Sequence, residues 1–167
     1  MSIINIAGIY HNDGVNGPGL RTTVFTQGCI HHCKGCHSPH TWKIGSGTNM
    51  TDEELYNEIT SSKLDTGVTF SGGDPMLQAK ELLPVALKLK QDKYHLMMYT
   101  GYTKEELDDL MKDPDIKTFV LLFDLIVTDR FILEQRDITL TFRGSRNQRI
   151  FKIQDSKEMI DVTSEFS

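Results

Sequence analysis

The chain has 167 residues with 38% hydrophobic side chains, enough for one packed core and one domain over residues 1–167. No run of about 18 apolar residues occurs, which argues against a membrane-spanning helix, and the opening MSIINIAGIYHNDG lacks the basic start, long apolar stretch and cleavage site of a secretory signal, so a cytoplasmic protein is expected. A net charge of −5 argues against a general nucleic-acid binder, which needs a basic face to displace counterions from phosphates.

In chain order, RTTVFTQ (21–27) is β-branched and aromatic and reads as a strand ending at Gly28. A cysteine-rich loop follows it. Thr51 with Glu54 three residues on forms a capping box, which opens a helix with Leu55 and Ile59 on its apolar face. Gly67 ends the connection to a second strand, VTFS (68–71). Residues 79–91 read as a helix with Leu82, Leu83, Ala86, Leu87 and Leu89 on a wide apolar face, and Pro84 is expected to kink it or to start a new helix. HLMMYT (95–100) is a third strand whose near-continuous apolar run suits burial on both faces. A second capping box, Thr103 with Glu106, opens a helix bearing Leu107, Leu110 and Met111. A short helix over 115–123, a fourth strand DLIVT (124–128) and a last strand near 149–153 complete the pattern.

Strands alternating with helices imply right-handed βαβ crossovers. The expected fold is therefore α/β, a single-domain partial (β/α) barrel with a mainly parallel sheet, because the chain is too short for a full eight-unit barrel. In such sheets the loops after the strands open on one edge, where ligands bind. The four loops concerned are 28–40, 72–76, 101–102 and 129–131.

The three cysteines, Cys29, Cys33 and Cys36, all lie in the first of these loops, GCIHHCKGCHSPHTW. An odd number packed so closely is no disulfide framework and points to metal or redox chemistry. Iron–sulfur cubanes normally take four thiolates. Three would leave one iron free to bind a small molecule through an amine and a carboxylate. The loop alone also allows a structural zinc site of three cysteines and one of His31, His32, His37 or His40. The second loop, SGGDPM (71–76), tips the balance. Two glycines allow a close backbone approach to a ligand, and Asp74 offers a negative charge to an ammonium group. One basic segment stands out, FRGSRNQR (142–149) with Arg143, Arg146 and Arg149, which reads either as a solvated turn or as a docking element for a partner.

Taken together, NGPGLR (16–21), FTQGCIHHCKGCHSPHTW (25–42), SGGDPM, YTGYTKEEL (99–107), DLIVTDRF (124–131) and RGSRNQRI (143–150) resemble the radical S-adenosylmethionine activases. Among these the likeness is greatest to the activating proteins of the anaerobic (class III) ribonucleotide reductases. The resemblance covers nearly the whole chain. It implies one [4Fe-4S] cluster on Cys29, Cys33 and Cys36, with S-adenosylmethionine bound at the free iron. Gly72, Gly73 and Asp74 match the segment that orients its amino end, although the superfamily's commoner wording has glutamate at the last position. Gly35 and His37, flanking Cys36, match positions against the cofactor, and Thr100 and Asp129 are candidates for its ribose or a nearby ion. The implied reaction is reductive cleavage of the cofactor to a 5′-deoxyadenosyl radical, which makes a glycyl radical on the reductase large subunit, with a flavodoxin-like protein as electron donor. No catalytic acid or base is implied. An activase of another glycyl radical enzyme, such as pyruvate formate-lyase, and a non-enzymatic zinc-stabilised module are the alternatives.

Overall fold

The structure, a computed structural model, describes residues 2–166. Its elements run β1 (Ile3–Asp13), β2 (Arg21–Thr26), β3 (Thr48–Thr51), α1 (Asp52–Thr60), β4 (Gly67–Gly72), α2 (Ala79–Gln91), β5 (His95–Tyr99), α3 (Lys104–Leu110), α4 (Pro114–Leu121), β6 (Leu125–Thr128), β7 (Arg149–Gln154) and β8 (Glu158–Asp161). All eight strands form one sheet in the order β3-β1-β2-β4-β5-β6-β7-β8. Among the described residues no helix is long and apolar enough to cross a membrane.

The expectation of a mainly parallel sheet is corrected. Three of the seven strand pairings are parallel, those joining β2, β4, β5 and β6, and the other four are antiparallel. The cause is connection length. Parallel neighbours need a crossover of a dozen or more residues, which α1, α2 and the α3–α4 pair supply. A turn of three residues joins β7 to β8, so these strands can only fold back on one another. The β1 strand escaped the sequence reading because two register shifts interrupt its alternation, and β3 and β8 because each has only four residues.

The four parallel strands add to the sheet in sequence order. With right-handed crossovers, a monotonic order sends every helix to the same face. The core bears this out: Leu55, Ile59, Leu82, Leu89, Leu107 and Phe119 pack with Val24, Phe70, Leu96, Met98 and Ile126 in one cluster. The alternate residues Met97, Leu125 and Val127 face the opposite side, in a smaller cluster with Ile150 and Val162. One sheet face is thus covered by helices and the other is left to loops.

Both capping boxes form as the sequence indicates, with the Thr51 and Thr103 hydroxyls accepting from the N–H of Glu54 and Glu106. The α2 helix differs from expectation in two ways. It runs through Pro84 as one element rather than restarting there, because Leu82, Val85, Ala86 and Leu89 are buried against the sheet and outweigh the lost backbone bond. Leu87, expected on the apolar face, is exposed.

Candidate functional site

The cysteine loop is tied at its neck. Gly28 N–H donates to the Thr41 carbonyl at 2.6 Å, and Cys29 N–H to the Trp42 carbonyl at 3.1 Å. Beneath them the amide nitrogen of buried Gln27 lies 2.9 Å from the carbonyls of His40 and Lys43 and from Ser46 Oγ. Between neck and tip, Cys36 N–H donates to the Cys33 carbonyl at 3.0 Å. The loop is therefore folded by its own backbone and by Gln27, which frees the cysteine side chains.

All three cysteines are unpaired thiols, and all three line one cavity of ≈ 480 Å³. Backbone N–H groups point at the sulfurs: those of His31 and His32 at Cys29, that of Phe131 at Cys33, and that of Ser38 at Cys36 Sγ, 3.4 Å away. Burial pushes the Cys29 and Cys33 thiols above the ordinary thiol range, and these N–H groups pull partly the other way. Donors aimed at sulfur suit thiolates that ligate an iron–sulfur cluster. A single zinc ion makes a different demand, four donors converging on one point. Among the described residues no three His, Cys, Asp or Glu side chains converge in that way. Three of the four candidate histidines are engaged elsewhere: His31 with Asp74, His32 stacked on Trp42 at 4.5 Å, and His37 against Phe131 at 5.4 Å.

The other rim loops meet the same cavity, as parallel topology requires. Gly72 and Gly73 line it at the end of β4, Thr100 and Gly101 after β5, and Asp129 and Phe131 after β6. Phe25, Ser71 and Tyr99 project into it from the helix-free face of the sheet, and His37 joins Cys36 on its wall. The four loops named from the sequence thus meet at one cavity.

Several of these residues also hold the loops together. A Cβ on Gly73 would lie 2.6 Å from the carbonyl carbon of Gly28, and one on Gly72, where φ is +99°, would lie 2.5 Å from the Thr26 backbone. The space at Gly73 is filled by the neck of the cysteine loop and that at Gly72 by the end of β2. Gly73 N–H and Asp74 N–H complete the junction by donating to the carbonyls of Thr26 and Gly28 at 2.9 and 2.8 Å. Gly35 has φ +79° and sits under Leu133, away from the cavity wall.

Asp74 also lies behind the wall, with 0% exposure. Its carboxylate accepts from Met76 N–H at 3.0 Å, from the Thr100 hydroxyl at 2.9 Å and from Gly101 N–H at 2.9 Å. Its Oδ2 is 2.7 Å from His31 Nε2, in a pair whose side chains are 3% and 0% exposed. The carboxylate thus binds three loops of this chain to one another, and no oxygen is left facing a ligand. Thr100, expected against the cofactor, lines the cavity and also gives its hydroxyl to Asp74.

Asp129 faces the cavity but is held by Arg149, whose Nε and Nη2 donate at 2.9 and 3.2 Å. Its φ of +76° is uncommon for a side-chain-bearing residue. The three arginines of the basic segment separate. Arg149 joins Asp129 and Glu105, Arg146 is exposed, and Arg143 is buried on the cavity wall. Sequence reasoning missed Tyr99, Gln148 and the Asp74–His31 pair. Only the strand pattern of HLMMYT, which turns Tyr99 to the same side as Met97, could have indicated the first.

Residues 15–151 match the family model described as a 4Fe-4S single cluster domain. The anaerobic ribonucleoside-triphosphate reductase-activating protein of Vibrio cholerae serotype O1 is 39% identical over 152 residues, which cover 86% of this chain and 94% of that protein. The protein of the same name from Escherichia coli K12 is 33% identical over 149 residues, covering 83% and 92%. The pyruvate formate-lyase-activating enzyme of Clostridium pasteurianum is 37% identical over 108 residues, covering 61% and 45%.

Proposed function

We propose that this chain, which belongs to the family of the anaerobic ribonucleoside-triphosphate reductase-activating proteins, is an iron–sulfur activase that makes a glycyl radical on the large subunit of an anaerobic ribonucleotide reductase. The observation that carries the reading is the meeting of three free thiols with the glycine loop and two further rim loops around one cavity. When bound, a [4Fe-4S] cluster and S-adenosylmethionine supply a reductive carbon–sulfur cleavage to a 5′-deoxyadenosyl radical, which takes hydrogen from a glycine Cα.

Cys29, Cys33 and Cys36 would hold the cluster, each with a backbone N–H directed at its sulfur. Among the described residues no other cysteine exists to complete the set, so one iron would stay open to the cofactor's amine and carboxylate. Ser71, Gly72 and Gly73 bring backbone to the cavity wall, where carbonyls can accept from the N–H groups of that amine. Phe25, Tyr99 and Phe131 give that wall an apolar share that keeps water from the reacting atoms. No side chain is needed as acid or base, because hydrogen moves as an atom.

Helices on one face and a cavity on the other support reading the open sheet as a partial barrel, and residues 1–167 as a single activase domain. A flavodoxin-like protein is proposed as the electron donor. Activation of a pyruvate formate-lyase is the second reading, supported by the Clostridium relative. Coverage favours the first: the match spans 94% of the Vibrio activase and 45% of the Clostridium enzyme.

The test is electron paramagnetic resonance on anaerobically reconstituted, dithionite-reduced protein. A four-iron signal that changes shape with S-adenosylmethionine, followed by a glycyl radical on mixing with the reductase, is expected. A folded protein that takes up zinc and forms no cluster would overturn the reading.

A further inference from the structure

The segment that carries the cysteines has two sides. Cys29, His31 and Cys33 line the cavity, whereas Ile30, His32 and Lys34, which alternate with them, are exposed away from it. On the return side of the neck Lys43 and Ile44 are exposed too. The outer side is partly apolar. Ile30 and Ile44 are each more than half exposed, and Ile44 rests against Gly28 of the neck. The His32 ring lies flat on Trp42, with centroids 4.5 Å apart and planes at 7°.

The charge on this side has one sign. All 23 acidic residues lie outside residues 14–51, and Lys34 and Lys43 lie within that stretch. Among the described residues neither lysine forms an ion pair, whereas Lys80, Lys90, Lys104 and Lys112 each have a carboxylate oxygen within 3.0 Å. A chain of net charge −5 thus keeps two unneutralised cations and two exposed isoleucines on the outside of its cysteine loop. Exposed apolar side chains among charges of one sign suit a partner of the opposite sign. The reductase is not that partner, because its glycine has to reach the reacting atoms through the cavity mouth, on the other side of the loop. The electron has no such constraint. A carrier seated on Ile30 and Lys34 would be divided from the sulfurs of Cys29 and Cys33 by one thickness of backbone.

We infer that the outer side of the cysteine loop, Lys34 and Lys43 with Ile30 and Ile44, is the docking surface of an acidic one-electron carrier protein. This rests on the reading of the site given above. The carrier gives up one electron and the cluster gains it, and no proton or group moves. Since the mouth lies on the other side, carrier and reductase can be bound at the same time.

The test uses the reconstituted full chain and a flavodoxin with an acidic surface. Calorimetric titration gives its affinity, and stopped flow gives the rate at which its photoreduced form reduces the cluster. Wild type is expected to bind it and to lose affinity as salt rises. The double variant Lys34→Glu, Lys43→Glu should bind roughly 10-fold more weakly. It should be reduced more slowly by flavodoxin, yet at the wild-type rate by dithionite, which needs no docking. Lys34→Arg, Lys43→Arg should behave as wild type. Lys63→Glu, Lys93→Glu makes the same change of net charge in the loops before β4 and β5, at the opposite edge of the sheet from the rim. That variant should stay near wild type in both measurements. Saturating reductase large subunit should leave the flavodoxin bound. The inference is overturned if cluster-loaded wild type does not bind flavodoxin, if Lys34→Glu, Lys43→Glu binds as wild type, if the two glutamate variants weaken alike, or if the reductase displaces it. A wild type that forms no cluster would instead sink the reading of the site.

Discussion

His31 Nε2 lies 2.7 Å from Asp74 Oδ2, so the imidazole between Cys29 and Cys33 is fastened to a carboxylate that starts the next rim loop. The same carboxylate takes the Thr100 hydroxyl and the N–H groups of Gly101 and Met76. An acidic residue that appears from sequence to await a ligand is instead the knot between three loops. Replacing it by alanine would leave four polar groups without their partner. We predict that Asp74→Ala loses about 3–5 kcal/mol, the usual cost of breaking a buried pair, and Asp74→Asn distinctly less. Urea midpoints of the cluster-free protein, measured without oxygen, check this. A loss below about 1 kcal/mol in the alanine variant would refute the role.

Gly73 leads to a different expectation from simple crowding of a ligand. A Cβ there stands 2.6 Å from the Gly28 carbonyl carbon and 2.9 Å from the Thr41 carbonyl oxygen. Both are backbone atoms of the cysteine-loop neck and cannot swing away. Gly73→Ala is therefore predicted to disturb the cysteines as well as the cavity, lowering iron retained after reconstitution together with cofactor affinity. Full iron retention with weakened binding would mean that the neck yields.

Cys33→Ser leaves two thiolates in the loop, too few for a stable four-iron cluster with one open iron. Iron and acid-labile sulfide should fall well below wild type, with the fold kept, because Gln27 and the neck bonds do not involve that side chain. Circular dichroism and iron assay separate the two. Wild-type iron in Cys33→Ser would exclude it as a ligand.

A pH effect is expected where α3 meets the loop after β6. Arg130 and the Thr103 N–H hold the Glu106 carboxyl down from the ordinary 4.5 to about 2. A depressed carboxyl stabilises the fold above its unfolded value and loses that contribution as pH falls through its folded one, here between about 4.5 and 2. The pair is well exposed, at 42% and 40%, so screening keeps the effect below about 1 kcal/mol. The gap in urea midpoint between wild type and Glu106→Gln should shrink across that window. A gap that is constant with pH would show that the charge is not involved.

Local signals carried much of the fold. Thr51 with Glu54 and Thr103 with Glu106 mark helix starts because the bonds they make span only three residues. The parallel strands were legible from their β-branched and apolar runs. The β1 strand was not, since Gly8 and two register shifts break its period of two. The site divides in the same way. The cysteine spacing and the glycine pair are local, and the topology brings their loops together. The burial of Asp74 depends on His31, Thr100 and Gly101, which lie 43, 26 and 27 residues away. Whether a carboxylate turns outward to a ligand or inward to such partners is decided by tertiary packing. For the same reason Arg143, Arg146 and Arg149 look alike in sequence and meet three different surroundings.

The strand order β2-β4-β5-β6 puts every helix behind the sheet. It follows that the mouth in front is framed by loops alone, and that Cys33 and Cys36 are only half-buried behind it. A bulky polypeptide end can approach such a mouth without any hinge opening first. The same gap would leave a cluster held on these thiols within reach of dissolved dioxygen.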